Sequence, residues 1–142
     1  MTDRLLLDTH IALWLDRGHE RLTTVTRGLI DECWKSGGTV YFSAVSVWEI
    51  AVLVDSRRMD LGSPVTAWVE NFVGGPGIEA VPLALSAAAR AYRLHHLEHR
   101  DPADRLLIAT AIDLGCPLVT YDDRIRRFGE RHGRQYGFAV AA

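Results

Sequence analysis

The chain has 142 residues, 48% hydrophobic and 24% charged, the make-up of a folded domain large enough to bury a core without disulfides or a structural metal. A net charge of −2 supplies no global attraction for a polyanion, and no apolar run approaches the ~20 residues of a membrane-spanning helix. Two cysteines, Cys33 and Cys116, lie in apolar segments and read as free buried thiols; with no basic-then-apolar leader at the start, the expected location is the cytoplasm.

Leu5-Leu6-Leu7 behind Arg4 reads as a strand buried on both faces, as in the middle of a parallel sheet. Asp8 follows where the chain leaves that sheet. Ligands of open α/β sheets bind just beyond the carboxyl ends of strands, although an Asp there also serves simply to cap the next helix. Ile11 to Leu15 continues as a short helix. Thr23 or Thr24 caps a helix whose inward face is Val25, Leu29, Ile30 and Cys33, ended by Gly37-Gly38. Thr39 to Val45, rich in β-branched and aromatic residues, is a second strand. Ser46-Val47-Trp48-Glu49 then opens a helix carrying Ile50, Ala51, Leu53 and Val54.

Ser63-Pro64 starts a helix with Val65, Trp68, Val69 and Phe72 on one face, and Gly74-Gly75-Pro76-Gly77 stops it. Ile78 to Leu83 is a third strand, and Ser86 caps a helix through Ala89 and Tyr92 towards Leu97. Asp101-Pro102-Ala103-Asp104 begins a helix that runs through Leu107, Ile108, Ala111 and Ile112 to Leu114, closed by Gly115 and barred from continuing by Pro117. Leu118-Val119-Thr120 is a strand followed by Tyr121-Asp122-Asp123. A short arginine-rich helix and a last strand, Tyr136 to Val140, complete the chain. Strands alternating with helices predict an α/β fold with a mostly parallel sheet covered on both sides.

Four acids occupy comparable places: Asp8 and Asp122 just past strands, Glu49 and Asp104 in the first turns of helices. Strand ends and helix starts coincide on the carboxyl edge of such a sheet, so the four side chains can converge there. Clustered carboxylates repel one another unless protonated or neutralised by a cation, and oxygen ligands without His or Cys suit Mg²⁺ or Mn²⁺ rather than zinc. Each acid also has a local structural alternative: Ser46-x-x-Glu49 matches a capping box, and Asp101-Pro102-Ala103-Asp104 matches a helix first turn. His95, His96 and His99 lack the intervening Glu of a metalloprotease pattern and read as surface or helix-end histidines, while Trp14, Trp48 and Trp68 read as core. Fifteen of the sixteen basic residues are arginine, Lys35 being the one lysine. The last third is crowded with them, and Arg105 and the Arg124–Arg127 cluster are candidate phosphate contacts.

With Leu6-Leu7-Asp8-Thr9-His10, Ser43-Ala44-Val45-Ser46-Val47-Trp48-Glu49-Ile50-Ala51, Asp101-Pro102-Ala103-Asp104-Arg105-Leu106-Leu107-Ile108-Ala109 and Leu118-Val119-Thr120-Tyr121-Asp122 in that order, the chain resembles the PIN-domain family. Within it, the VapC-type toxins of bacterial toxin–antitoxin pairs are the nearer likeness. The resemblance covers essentially the whole chain. It implies one domain over residues 1–142, built as a three-layer sandwich whose central sheet has four to five mostly parallel strands flanked by helices. The family's acidic quartet falls on Asp8, Glu49, Asp104 and Asp122, with Asp101 and Asp123 as further carboxylates nearby. The implied activity is a Mg²⁺- or Mn²⁺-dependent ribonuclease, usually homodimeric and inhibited by a cognate antitoxin, with no membrane partner. Asp8 and Asp104 would chiefly hold the metal, Glu49 and Asp122 would complete its shell, and Thr9 and Ser46 would orient the carboxylates.

Two other readings compete. A phosphatase of the haloacid-dehalogenase type shares an Asp after the first strand, but wants a second Asp where His10 stands and a catalytic lysine that Lys35 is poorly placed to supply. A non-catalytic interaction module would keep the fold and a partner surface without cleavage, and the intact carboxylates argue against it.

Overall fold

Three consecutive leucines can all be buried only if the strand that carries them has a core on each side. Here it has. The structure, a computed structural model describing residues 3–142, places β1 (Arg4–Leu7) at the centre of the sheet with Leu5, Leu6 and Leu7 fully buried. Leu5 and Leu7 pack into one hydrophobic cluster and Leu6 into another, the alternation that a pleated strand imposes. Each such side chain contributes roughly 1.5–3 kcal/mol of burial.

The elements follow as α1 (Thr9–Arg17), α2 (Thr24–Lys35), β2 (Thr39–Ser43), α3 (Ala44–Asp55), α4 (Val65–Gly74), β3 (Ile78–Val81), α5 (Leu85–Arg90), α6 (Pro102–Leu114), β4 (Leu118–Val119), α7 (Asp123–Tyr136) and β5 (Val140–Ala141). The described strands form one five-stranded sheet in the order β3-β2-β1-β4-β5, every neighbouring pair parallel. Residues of α1, α2 and α4 cover the face of Leu5, Leu7, Val40 and Phe42, while α6, α7 and the segment around Leu94 and Leu97 cover the face of Leu6 and Leu118. This is the predicted sandwich. Cys33 and Cys116 are free and buried, as expected, and no helix among the described residues is long and apolar enough to cross a membrane.

Several boundaries depart from the sequence reading. The second strand ends at Ser43, not Val45, because the Ser43 hydroxyl accepts from the Val45 amide at 3.0 Å and starts α3 three residues before Ser46. The third strand stops at Val81, since Pro82 has no amide to continue the ladder. Ser86 caps nothing: α5 begins after Ala84, which makes no side-chain cap, and the Ser86 hydroxyl donates to the Asp113 carboxylate. That helix ends at Arg90 rather than near Leu97. The arginine-rich helix is long, fourteen residues, and runs until Gly137 turns left-handed (φ 69°), so β5 is only Val140–Ala141 rather than Tyr136 to Val140.

Two apolar residues face the other way from expectation. Val25 is 71% exposed, because α2 turns Thr26, Ile30 and Cys33 inward instead. Thr26 can be buried there since its hydroxyl meets the Tyr121 hydroxyl at 2.6 Å. Trp48 is 53% exposed and not core, whereas Trp68 is buried and Trp14 packs partly buried against the core as expected.

Candidate active site

β1 and β4 lie side by side and end together: the Asp8 amide donates to the Val119 carbonyl at 2.9 Å, so Asp8 and Thr120 leave the sheet as neighbours. The buried Asp8 carboxylate is held on both oxygens. Oδ1 accepts from the Thr9 amide at 2.7 Å, which makes Asp8 the N-cap of α1, and Oδ2 accepts from the Thr120 hydroxyl at 2.6 Å. The Thr120 oxygen in turn accepts from the Asp122 amide at 3.1 Å, tying the two strand-end acids into one chain of hydrogen bonds. Capping and clustering are thus both true of Asp8.

Asp122 caps α7, its Oδ1 accepting from the Arg124 and Ile125 amides at 2.9 and 3.1 Å. Asp101 caps α6 by accepting from the Asp104 amide at 3.2 Å, with Pro102 at the first helical position, where no amide is needed. Asp104 thereby sits in the first turn of α6, and its Oδ2 lies 2.9 Å from His99 Nε2. Glu49 is half-buried one turn into α3, beyond the reach of the capping box that a start at Ser46 would have made.

The electrostatics show how closely these acids gather. Asp104 is raised to about 8, first by burial and then by the charges of Asp101, Asp8, Asp122 and Glu49. Burial also raises Glu49, with Asp8 and Asp101 adding to the rise and the Thr9 hydroxyl opposing it. Asp8 is raised by burial against the pull of its Thr120 and Thr9 hydrogen bonds. Burial is the leading cause of the lowered His99 value, and Arg124 adds to it. Asp104 is thus pushed up and His99 pushed down, so burial favours the neutral form of each over an ion pair between them. All four predicted acids therefore share one field at the carboxyl edge, and Asp101 shares it too. Asp123, exposed at the start of α7, is the weaker claimant to the fourth place.

Three expectations about supporting residues change. Arg105 is no phosphate contact: only 3% exposed, it donates to the carbonyls of His99, Ala91 and Leu97 at 3.2, 3.0 and 2.7 Å and staples residues 91–99 to α6. Ser46 does not hold a carboxylate but accepts the Thr9 hydroxyl at 2.9 Å, and Thr120 is the hydroxyl that orients Asp8. His99 is not a free surface histidine. Neither Thr120 nor His99 carried a sequence signal for this role beyond lying near an acid of the quartet.

The donor set is wholly hard oxygen. Among the described residues no three His, Cys, Asp or Glu side chains form a ready-made cage for a metal ion. An all-carboxylate cluster whose members repel one another, without a closed cage, fits Mg²⁺ or Mn²⁺, since Mg²⁺ keeps several of its waters and takes only one or two carboxylates directly.

A family model described as PIN domain matches residues 5–131. The chain belongs to the PIN domain family. It is 35% identical over 130 residues to Ribonuclease VapC22 of Mycobacterium tuberculosis, covering 92% of this chain and 94% of that protein. Among solved structures, the PIN fold seen here is shared with VapBC2 from Rickettsia felis bound to a DNA fragment from their promoter, at a TM-score of 0.66, 12% identity and 97% coverage of both chains. A toxin–antitoxin complex from Klebsiella pneumoniae matches at a TM-score of 0.55 with 14% identity and 96% coverage of both chains. FitAcB from Neisseria gonorrhoeae matches at 0.53 with 19% identity, covering 97% of this chain and 96% of that one.

Proposed function

We propose that this PIN-domain chain is a Mg²⁺- or Mn²⁺-dependent endoribonuclease, the toxin of a type II toxin–antitoxin pair, acting as one domain over residues 1–142 in the cytoplasm. The observation that carries the reading is the gathering of Asp8, Glu49, Asp104 and Asp122 from four separate elements into one mutually repelling carboxylate field. The 35% identity to a protein named as a ribonuclease supports the same activity. Likeness to structures described as toxin–antitoxin complexes supports a cognate antitoxin as partner. A homodimer is in keeping with α3, which leaves the apolar Trp48 and Val52 exposed four residues apart, on one side of the helix.

Asp8 and Asp104 would hold the cation, with Glu49 and Asp122 completing the shell directly or through water. Such an ion, when bound, lowers the pKa of a water molecule and offsets the charge that develops on a phosphodiester. The hydrogen bonds from Thr9 and Thr120 favour the ionised form of Asp8 against the effect of burial and fix the carboxylate in direction. Glu49, with its affinity for protons raised by burial, is the group suited to take a proton from the attacking water. His99 holds Asp104 in place through its ring nitrogen.

The test is cleavage of cellular RNA by purified protein. Wild type with Mg²⁺ or Mn²⁺ cuts, while Asp8→Asn, or wild type in EDTA, does not. Full cleavage by rigorously purified Asp8→Asn protein rules the mechanism out.

A further inference from the structure

Beside the carboxylates lies a feature of the opposite character. A cleft of about 340 Å³ opens between residues 96–99 and α7. Its α7 wall presents Arg124, Arg127 and Arg131, at spacings of three and four residues that bring their exposed side chains to one side of the helix. Glu98 is the carboxylate on its rim and does not balance three guanidinium groups. The cleft also holds an aromatic platform. His96 and His132 are stacked with ring centroids 4.3 Å apart at 24°, and Phe128 lies behind them. His96 is exposed, and its Nδ1 lies 2.6 Å from the Tyr136 hydroxyl, which fixes the ring plane.

The cleft runs directly into the acidic field. His99 lines it and touches Asp104 at 2.9 Å; Arg124 lines it and lies 3.9 Å from the Asp122 carboxylate. A polymer whose scissile phosphate lay among the carboxylates would have its next residue here. We infer that this cleft binds one unpaired nucleotide of the RNA flanking the cleaved bond, its base stacked on His96 and its phosphate held by Arg127 and Arg131. This rests on the ribonuclease reading and adds to it a seat for the nucleotide beside the cleaved bond, which must be unpaired there because a base held in a duplex cannot reach an aromatic platform. The volume, at the small end of ligand-sized pockets of about 300–1,000 Å³, suits one nucleotide rather than a helix of RNA.

The experiment separates binding from cleavage. Asp104→Asn protein, which leaves RNA intact on the reading above, serves as background for fluorescence anisotropy with a labelled single-stranded RNA ten nucleotides long and with its annealed duplex. Adding Arg127→Ala and Arg131→Ala lowers affinity for the single strand about tenfold and flattens the dependence of log K on log salt by about 0.7 for each phosphate no longer neutralised. His96→Ala lowers single-strand affinity about fivefold or more, His96→Phe restores it to within about twofold, and neither changes the weaker binding of the duplex. A simple structural role for His96 would not be rescued by phenylalanine.

The pocket is overturned if the arginine variants keep the wild-type affinity and salt slope, or if His96→Ala binds the single strand undiminished. Equal binding of duplex and single strand overturns it too. So does displacement of the labelled strand by a hexaglutamate peptide at lower concentration than by unlabelled RNA, which would mark the cleft as a seat for an acidic protein segment. A wild-type chain that binds single-stranded RNA through these residues, yet cuts none with Mg²⁺ or Mn²⁺, supports the pocket and overturns the reaction instead.

Discussion

Asp104→Asn should make the metal-free protein more stable, not less. The wild-type carboxyl lies among four other acids, its side chain 13% exposed, and is raised to about 8 from an ordinary 3.8. The folded state thus binds a proton that the unfolded chain has released across that whole interval. Stability from this group is fully present below about pH 4 and is lost as pH climbs to about 8. At ~1.4 kcal/mol for every tenfold change in proton affinity, the loss is on the order of 5 kcal/mol, a ceiling that the residual exposure reduces. Asparagine is close to isosteric with the protonated acid, can still hydrogen-bond His99 and never ionises. In EDTA the variant should match wild type near pH 4.5 and pull ahead steadily up to pH 8. There the gap in Tm should be of order 10–20 °C, the upper figure being that ceiling at about 4 °C per kcal/mol for a domain of this size. Millimolar Mg²⁺ should then raise the wild-type Tm at pH 8 and leave the variant's unmoved, because only the wild type gains from neutralising its acids. The measurement is thermal unfolding by circular dichroism at pH 4.5 to 8.5, with and without EDTA. Equal Tm values for wild type and Asp104→Asn at pH 8 in EDTA would refute the premise that the acids are crowded at a cost to the fold.

Two further substitutions test the residues that tertiary structure brought to the site. Arg105→Met strands three buried carbonyl acceptors and should cost about 3–5 kcal/mol in urea unfolding; a loss below about 1 kcal/mol would mean that the arginine is not what anchors residues 91–99. Thr120→Val removes the hydroxyl that bonds both Asp8 and the Asp122 amide, and should lower stability by about 1–3 kcal/mol. Since that bond pulls the Asp8 pKa down, its loss moves the value further up. The acid limb of the pH–rate profile for RNA cleavage should therefore shift to higher pH, and an unshifted limb would show that ionised Asp8 does not control activity.

Much of the candidate site is readable locally. Asp8 and Asp122 follow short apolar runs, and Asp104 stands three residues after an Asp-Pro helix start; these are patterns of single segments, and the segments fold as they read. Sequence alone puts Glu49 on the right helix from the wrong cap, because Ser43 and Ser46 are equally good cap residues and only the length of the β2 ladder chooses between them. The helix it lies on is apolar on nearly every side, so periodicity cannot tell that Ile50 faces in while Trp48 faces out. Arg105 reads as a surface cation because arginine seldom enters a core, and three backbone carbonyls from residues 91–99 are what allow it there.

By itself, then, the sequence determined the alternation of strands and helices, the doubly buried central strand and the four positions at which acids meet the sheet edge. Hydrophobic periodicity, prolines, glycines and caps act within a few residues and are legible there. It took the packing of distant segments to show that Thr120 holds Asp8 across 112 residues, that His99 meets Asp104 and that a basic, aromatic cleft adjoins the acidic cluster. Such partnerships depend on which distant segments share a sheet edge or a helix face, and on what burial does to a charge once they meet, neither of which a local pattern encodes.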